Sequence, residues 1–91
     1  MHDCINKDTF HKRINKIIGQ LNAINTMIDK DEECEKILTQ ISAAKSALHK
    51  AGQQLIEGHL HHCVKDGIKH GDAEKTINDF TKALEYFSRM S

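Results

Sequence analysis

Residues 34–65 read CEKILTQISAAKSALHKAGQQLIEGHLHHCVK, and this stretch decides the fold. Cys34, Ile37, Ile41, Ala44, Leu48, Ala51 and Leu55 recur at alternating steps of three and four, the period of a coiled-coil-like helical seam. Asp31, followed by Glu32 and Glu33, supplies a capping side chain and first-turn negative charge, so a second helix is expected to start there and run to about Lys65. Such a helix is roughly 50 Å long, more than a compact three-helix monomer covers, so a second copy is expected to supply the cover. On the N-terminal side, Phe10, Ile14, Ile17, Leu21, Ile24 and Ile28 define a first helix from about Asp8 to Met27–Lys30. On the C-terminal side, Gly67 and Gly71-Asp72 mark a connection and a cap. Ala73, Ile77, Phe80, Leu84 and Phe87 then define a shorter third helix.

Composition agrees with an all-α class. The 91 residues contain no proline, one tyrosine and three phenylalanines, with many helix-forming residues and little material for sheets. A chain of this length is one domain, residues 1–91, with a modest core that favours oligomerisation. Thirteen basic and thirteen acidic residues cancel, so attraction to nucleic acid or anionic lipid requires a local patch. The start, Met1-His2-Asp3-Cys4, lacks a signal-peptide pattern and no apolar run approaches a membrane span, which leads to the expectation of a cytoplasmic protein without a membrane partner. In that compartment Cys4, Cys34 and Cys63 are expected to stay reduced. No activated nucleophile, acid–base pair or phosphate loop points to an enzyme.

Cys34 and Cys63 are twenty-nine residues apart on the long helix, hence about 44 Å apart in one chain. They cannot share a metal or a disulfide within a monomer. Two copies of the helix packed antiparallel about a two-fold axis beside Leu48 would bring Cys34 of one copy to Cys63 of the other, and Leu48 is mid-seam, where a self-pairing residue belongs. The small residues Ala44, Ala51 and Gly58 would let the two backbones approach. His59 precedes Cys63 by one helical turn on the same face. Each of these residues alone reads as a buried cysteine or a rim histidine. Together they form a soft ligand set suited to Cu(I) or Zn(II), and three ligands without a fourth favour Cu(I). His2, on the N-terminal segment, would add a nitrogen and shift the preference to Ni(II) or Co(II). His61, His62 and His70 read as solvated imidazoles near a helix end, and His11 and His49 as surface or core-edge residues.

Lys7, Lys12, Arg13 and Lys16 lie on the first helix with no acidic residue between Asp8 and Asp29, while Lys45 and Lys50 stand near the middle of the second. In a two-fold dimer these would form a broad positive band for phosphates. By charge alone the same residues also describe an ordinary solvated face.

Three stretches resemble the copper-sensitive operon repressor family, whose relatives include nickel/cobalt, formaldehyde and persulfide sensors. They are Arg13-Ile-Asn-Lys-Ile-Ile-Gly19-Gln20-Leu21, Cys34-Glu-Lys-Ile-Leu-Thr-Gln40-Ile41 and Glu57-Gly-His59-Leu-His-His-Cys63-Val64. The resemblance covers nearly the whole chain and implies an antiparallel four-helix-bundle dimer assembling into a homotetramer. It matches Cys34, His59 and Cys63 to Cu(I) ligands, and Arg13, Lys16 and Lys50 to positions used for operator DNA. It also suggests Asp79 as a carboxylate behind the ligands. The chain departs from the family at Ile18, where many relatives carry arginine, and at Glu33, where an aromatic residue is common. The implied function is a cytosolic repressor that binds operator DNA when metal-free and releases it on binding Cu(I). Alternatives are a Ni(II) or Co(II) repressor using His2, a thiol or persulfide sensor, and a metal-buffering protein without a DNA role.

Overall fold

The computed structural model describes residues 5–90. They form α1 (Lys7–Asp29), α2 (Cys34–Gly58), a π-helical turn (His59–Val64), α3 (Lys65–Lys69) and α4 (Ala73–Ser88), with no strand among them. The long second helix of the sequence reading is α2, the π turn and α3 in succession. The backbone stays right-handed at Gly58 (φ −62°, ψ −41°), Val64 (φ −69°, ψ −47°) and Lys65 (φ −59°, ψ −44°), so the path ends at Lys69 rather than Lys65.

Asp31 does not cap α2. It adopts φ 54°, its N–H donates to the Ile28 carbonyl, and the Glu32 N–H donates to the Met27 carbonyl. These two bonds form a Schellman closure, in which the left-handed residue turns the chain back to satisfy carbonyls that a helix end leaves open. Asp31 therefore ends α1, and α2 opens instead on Glu33, whose carbonyl accepts from the Lys36 and Ile37 N–H groups. The same closure recurs with the expected glycine at Gly71 (φ 85°): its N–H donates to Ile68 and the Asp72 N–H to Gly67. Asp72 takes the N-cap position of α4, and no side-chain capping bond forms there.

The described residues divide into two compact units, Asp8–Ala51 and a second made of residues 52–90 with residues 5–7. In the first, α1 and the first half of α2 form an antiparallel helical hairpin around buried Ile17, Ile24 and Ala44. In the second, three close approaches set α4 antiparallel to the segment before it. Gly52 lies near Phe87 and Met90, His59 stacks on Phe80, and Gly67 abuts Thr76. A Cβ at Gly67 would overlap the Thr76 side chain, so glycine there permits the approach.

The single seam expected on α2 separates into two adjacent stripes. Ala44 and Ala51 are buried within the chain's own fold, so they are not the small residues left free for a partner. The parallel stripe, Cys34, Leu38, Ile41 and Leu48, is open to solvent, with Leu38 61%, Ile41 46% and Leu48 44% exposed. On α4 the inward stripe is Ala73, Thr76, Phe80, Ala83 and Phe87, all half-buried, whereas Ile77 and Leu84 stand outside it.

Candidate metal centre and nucleic-acid interface

A soft ion needs thiolate and imidazole donors on one surface. His59 and Cys63 are the first and fifth residues of the π turn, and both are half-buried. A π turn closes i→i+5 bonds at about 4.4 residues per turn, so four residues fall roughly 30° short of a full revolution, where an α-helix would pass it by about 40°. In either geometry the two donors share a face. The π turn itself was not foreseen, although such bulges are frequent at functional sites.

Phe80 of α4 holds the imidazole. The ring centroids of His59 and Phe80 are 5.7 Å apart and the planes are inclined by 24°, a stacked pair. The sequence reading placed Phe80 in the core and assigned it no site role. Counted from the turn at Gly71, His59 lies twelve residues before and Phe80 nine after, so spacing alone does not pair them. Asp79, its neighbour, is exposed and lines a separate open cleft with Asp72, Glu74, Lys75 and Lys82. His70 pairs with Asp66 on the surface, Nε2 to Oδ1 3.3 Å.

Cys34, at the first turn of α2, is an exposed free thiol at the end of the open apolar stripe. It belongs to one unit, and His59 and Cys63 to the other. Among the described residues no group of three or more His, Cys, Asp or Glu side chains is gathered closely enough to hold a metal ion. The expectation of three reduced cysteines is corrected at Cys63, which is disulfide-bonded in this structure. A sulfur in that bond has no thiolate to offer, so Cys63 ligates only after reduction. His2 lies outside the described residues. In donor chemistry alone, Cys34, His59 and reduced Cys63 are of the types a soft ion takes.

The structure gathers the three principal basic residues. Arg13, Lys16, Ile17 and Gln20 of α1 and Ala43, Ser46, Ala47 and Lys50 of α2 line a cleft of about 340 Å³. Read across the antiparallel hairpin, Arg13 pairs in level with Lys50 and Gln20 with Ala43, so the cations sit toward the end away from the acidic turn at Asp29–Glu35. Lys12 and Lys45 are exposed and are not part of this lining. No described helix is long and apolar enough to cross a membrane.

The model of the metal-sensitive transcriptional repressor family matches residues 6–86. This chain belongs to that family. Its members are transcriptional repressors, and the all-α helical order is shared with solved members. The chain is 39% identical over 83 residues to the copper-sensing transcriptional repressor CsoR of Bacillus subtilis (strain 168), covering 91% of this chain and 82% of that one. It is similar to the copper-sensing repressor CsoR with Cu(I) from Geobacillus thermodenitrificans NG80-2, with a TM-score of 0.83, 33% identity and coverage of 89% and 84%. It shares its fold with the nickel-responsive transcriptional regulator InrS, with a TM-score of 0.84, 22% identity and coverage of 91% and 93%. One fold thus serves a copper-sensing repressor and a nickel-responsive regulator.

Proposed function

We propose that this chain, as a single domain over residues 1–91, is a Cu(I)-responsive repressor that holds operator DNA when metal-free and releases it when metal-loaded. The observation that carries the reading is the pairing of His59 and Cys63 on one face with an exposed Cys34 that cannot complete the set alone. Cys34 ends the open stripe Leu38, Ile41 and Leu48, an apolar surface that a second copy would cover. Packed antiparallel about an axis beside Leu48, each copy brings Cys34 to the partner's His59-Cys63 pair, giving two sites per dimer, and dimers pair into a tetramer.

Bound there, Cu(I) would supply a soft, low-coordinate cross-link between two subunits. The chain's own residues do the rest. Cys34 and Cys63 give up their thiol protons, and His59 is held by Phe80. Asp79, the carboxylate that the family resemblance suggests behind the ligands, is exposed on a separate cleft, so any support it gives the site depends on the assembled dimer. Arg13, Lys16 and Lys50 engage phosphates, with Lys12 and Lys45 widening the positive band. Thermodynamic reciprocity requires DNA to weaken metal binding by the factor by which metal weakens DNA binding. Similarity to a copper-sensing repressor and to a Cu(I)-containing structure supports copper as the inducer.

The disulfide at Cys63 favours a second reading, thiol sensing, in which oxidation at this position replaces metal as the signal. Fluorescence anisotropy on DNA from upstream of the chain's own gene separates the readings. Under reductant, Cu(I) is expected to release the DNA at about one equivalent per chain. Persistence of the complex at saturating Cu(I) would sink the copper reading. Release by Ni(II) or Co(II) instead would point to His2 as a further ligand, and release by oxidant alone to the thiol sensor. Metal binding without any operator affinity would leave a buffering protein.

A further inference from the structure

Cys63 is bonded to a second sulfur, and the chain offers few candidates for it. The sequence holds three cysteines, Cys4, Cys34 and Cys63. Cys34 is a free thiol in the compact unit Asp8–Ala51, while Cys63, in the other unit, is disulfide-bonded. Within one chain, Cys4 is the cysteine that remains. It lies outside the described residues.

The residues that follow Cys4 agree with that count. Residues 5–7 cluster with residues 52–90, the unit that contains Cys63, and Ile5, next in the chain to Cys4, is half-buried. Cys4 precedes the start of α1 at Lys7 by three residues, a tether of at most about 11 Å. A disulfide needs its two Cα atoms within about 7 Å. A thiol tied this closely to residues that pack with the unit of Cys63 is held at high effective concentration beside that unit.

We propose that Cys4 is the resolving thiol of Cys63: the two form an intrachain disulfide that closes the metal site to Cu(I) and spares Cys34. A small-molecule disulfide, such as oxidised glutathione, is the oxidant. One protein thiolate attacks a sulfur of that disulfide and releases one small thiol. The other protein thiolate then attacks the protein sulfur of the mixed disulfide and releases the second small thiol. Two protein thiols become one disulfide, and one small disulfide becomes two small thiols. Excess small thiol runs the exchange backwards and returns Cys63 as a ligand. Bond and metal compete for one sulfur, so each excludes the other, and the oxidised chain is insensitive to Cu(I) rather than signalled by oxidation. Closure of the site rests on the ligand reading above, but the bond between Cys4 and Cys63 does not.

The test is disulfide mapping on the full chain. Cleavage after Lys7, Lys30, Lys36, Lys50 and Lys65 puts each cysteine on its own tryptic peptide. Reduced, metal-free protein is freed of reductant under nitrogen, exposed to oxidised glutathione, quenched with N-ethylmaleimide, digested with trypsin and read by mass spectrometry. The Cys4 and Cys63 peptides are expected to be joined, with the maleimide on Cys34 and a monomer on a non-reducing gel. Cys4→Ser should leave Cys63 alkylated or as the glutathione adduct, and Cys34→Ser should leave the bond intact; circular dichroism checks that both variants fold. Cu(I) added beforehand at one equivalent should slow bond formation about tenfold or more. Cys63 joined to Cys34, a disulfide-linked dimer on the gel, or a wild-type Cys63 that stays alkylated after prolonged oxidation overturns the proposal. If Cu(I) binds through Cys34, His59 and Cys63 but Cys63 does not bond to Cys4, the proposal falls and the copper reading stands. If the bond joins Cys4 to Cys63 but Cu(I) does not slow it, the bond stands, and both the closure of the site and the ligand role of Cys63 fall.

Discussion

Phe80→Leu removes the ring that stacks on His59 and leaves a side chain of comparable bulk on the inward stripe of α4. Centroids 5.7 Å apart at 24° lie inside the range where aromatic pairs contribute about 0.5–1.5 kcal/mol beyond area burial. Both rings are half-buried, which places this pair in the lower part of that range, about 0.5–1 kcal/mol. A double-mutant cycle isolates the term. Phe80→Leu, His59→Ala and the double variant are melted in urea as reduced, metal-free protein, and the coupling energy is read from the four stabilities. Cu(I) affinity, measured by competition with a chromophoric chelator, gives the functional counterpart. An imidazole freed to sample other rotamers loses about 0.5–1 kcal/mol of preorganisation, so Phe80→Leu should bind Cu(I) about two- to fivefold more weakly. Additive stabilities within about 0.3 kcal/mol, together with unchanged Cu(I) affinity, would refute the claim that α4 positions the ligand.

Three further outcomes follow from the geometry. Gly67→Ala should destabilise the fold by about 1–3 kcal/mol through overlap with Thr76, and Thr76→Ala in the same chain should recover only part of the loss, because the Thr76 Cβ would still lie 2.9 Å from the new methyl, as thermal melts would show. Gly71→Ala meets no atom within 4 Å but sits at φ 85°, so strain outweighs the entropy gain in the unfolded chain and a net loss of about 1 kcal/mol is expected in urea titration. Lys50→Gln removes one phosphate contact per cleft. With two clefts on the operator, the slope of log K against log salt should become shallower by about 1.8, and an unchanged slope would remove Lys50 from the interface.

The helical class, the three-helix order and the ends of α1 and α4 were legible in the sequence, because amphipathic periodicity and glycine placement are local properties. Met27–Lys30 brackets the end of α1, and Ala73 opens α4 as expected. The donor types were equally legible, since Cys34, His59 and Cys63 declare their chemistry by identity and spacing. Asp31 shows where local reading failed. An acidic residue after a helix suits an N-cap as well as a left-handed closure, and only the bonds from Asp31 and Glu32 back to α1 separate the two.

Other features depended on tertiary packing. Periodicity cannot tell which edge of a broad apolar stripe is used within the chain. On α2, packing buried Ala44 and Ala51 and left Leu38, Ile41 and Leu48 open; on α4 it turned Phe80 inward and Ile77 outward. The π turn at His59–Val64 and the stack on Phe80 likewise have no signature in spacing, because they arise where two helices press together. The sequence by itself determined which side chains carry soft-donor or cationic chemistry. The tertiary structure decided which of them meet, because that depends on the register of helices far apart in the chain.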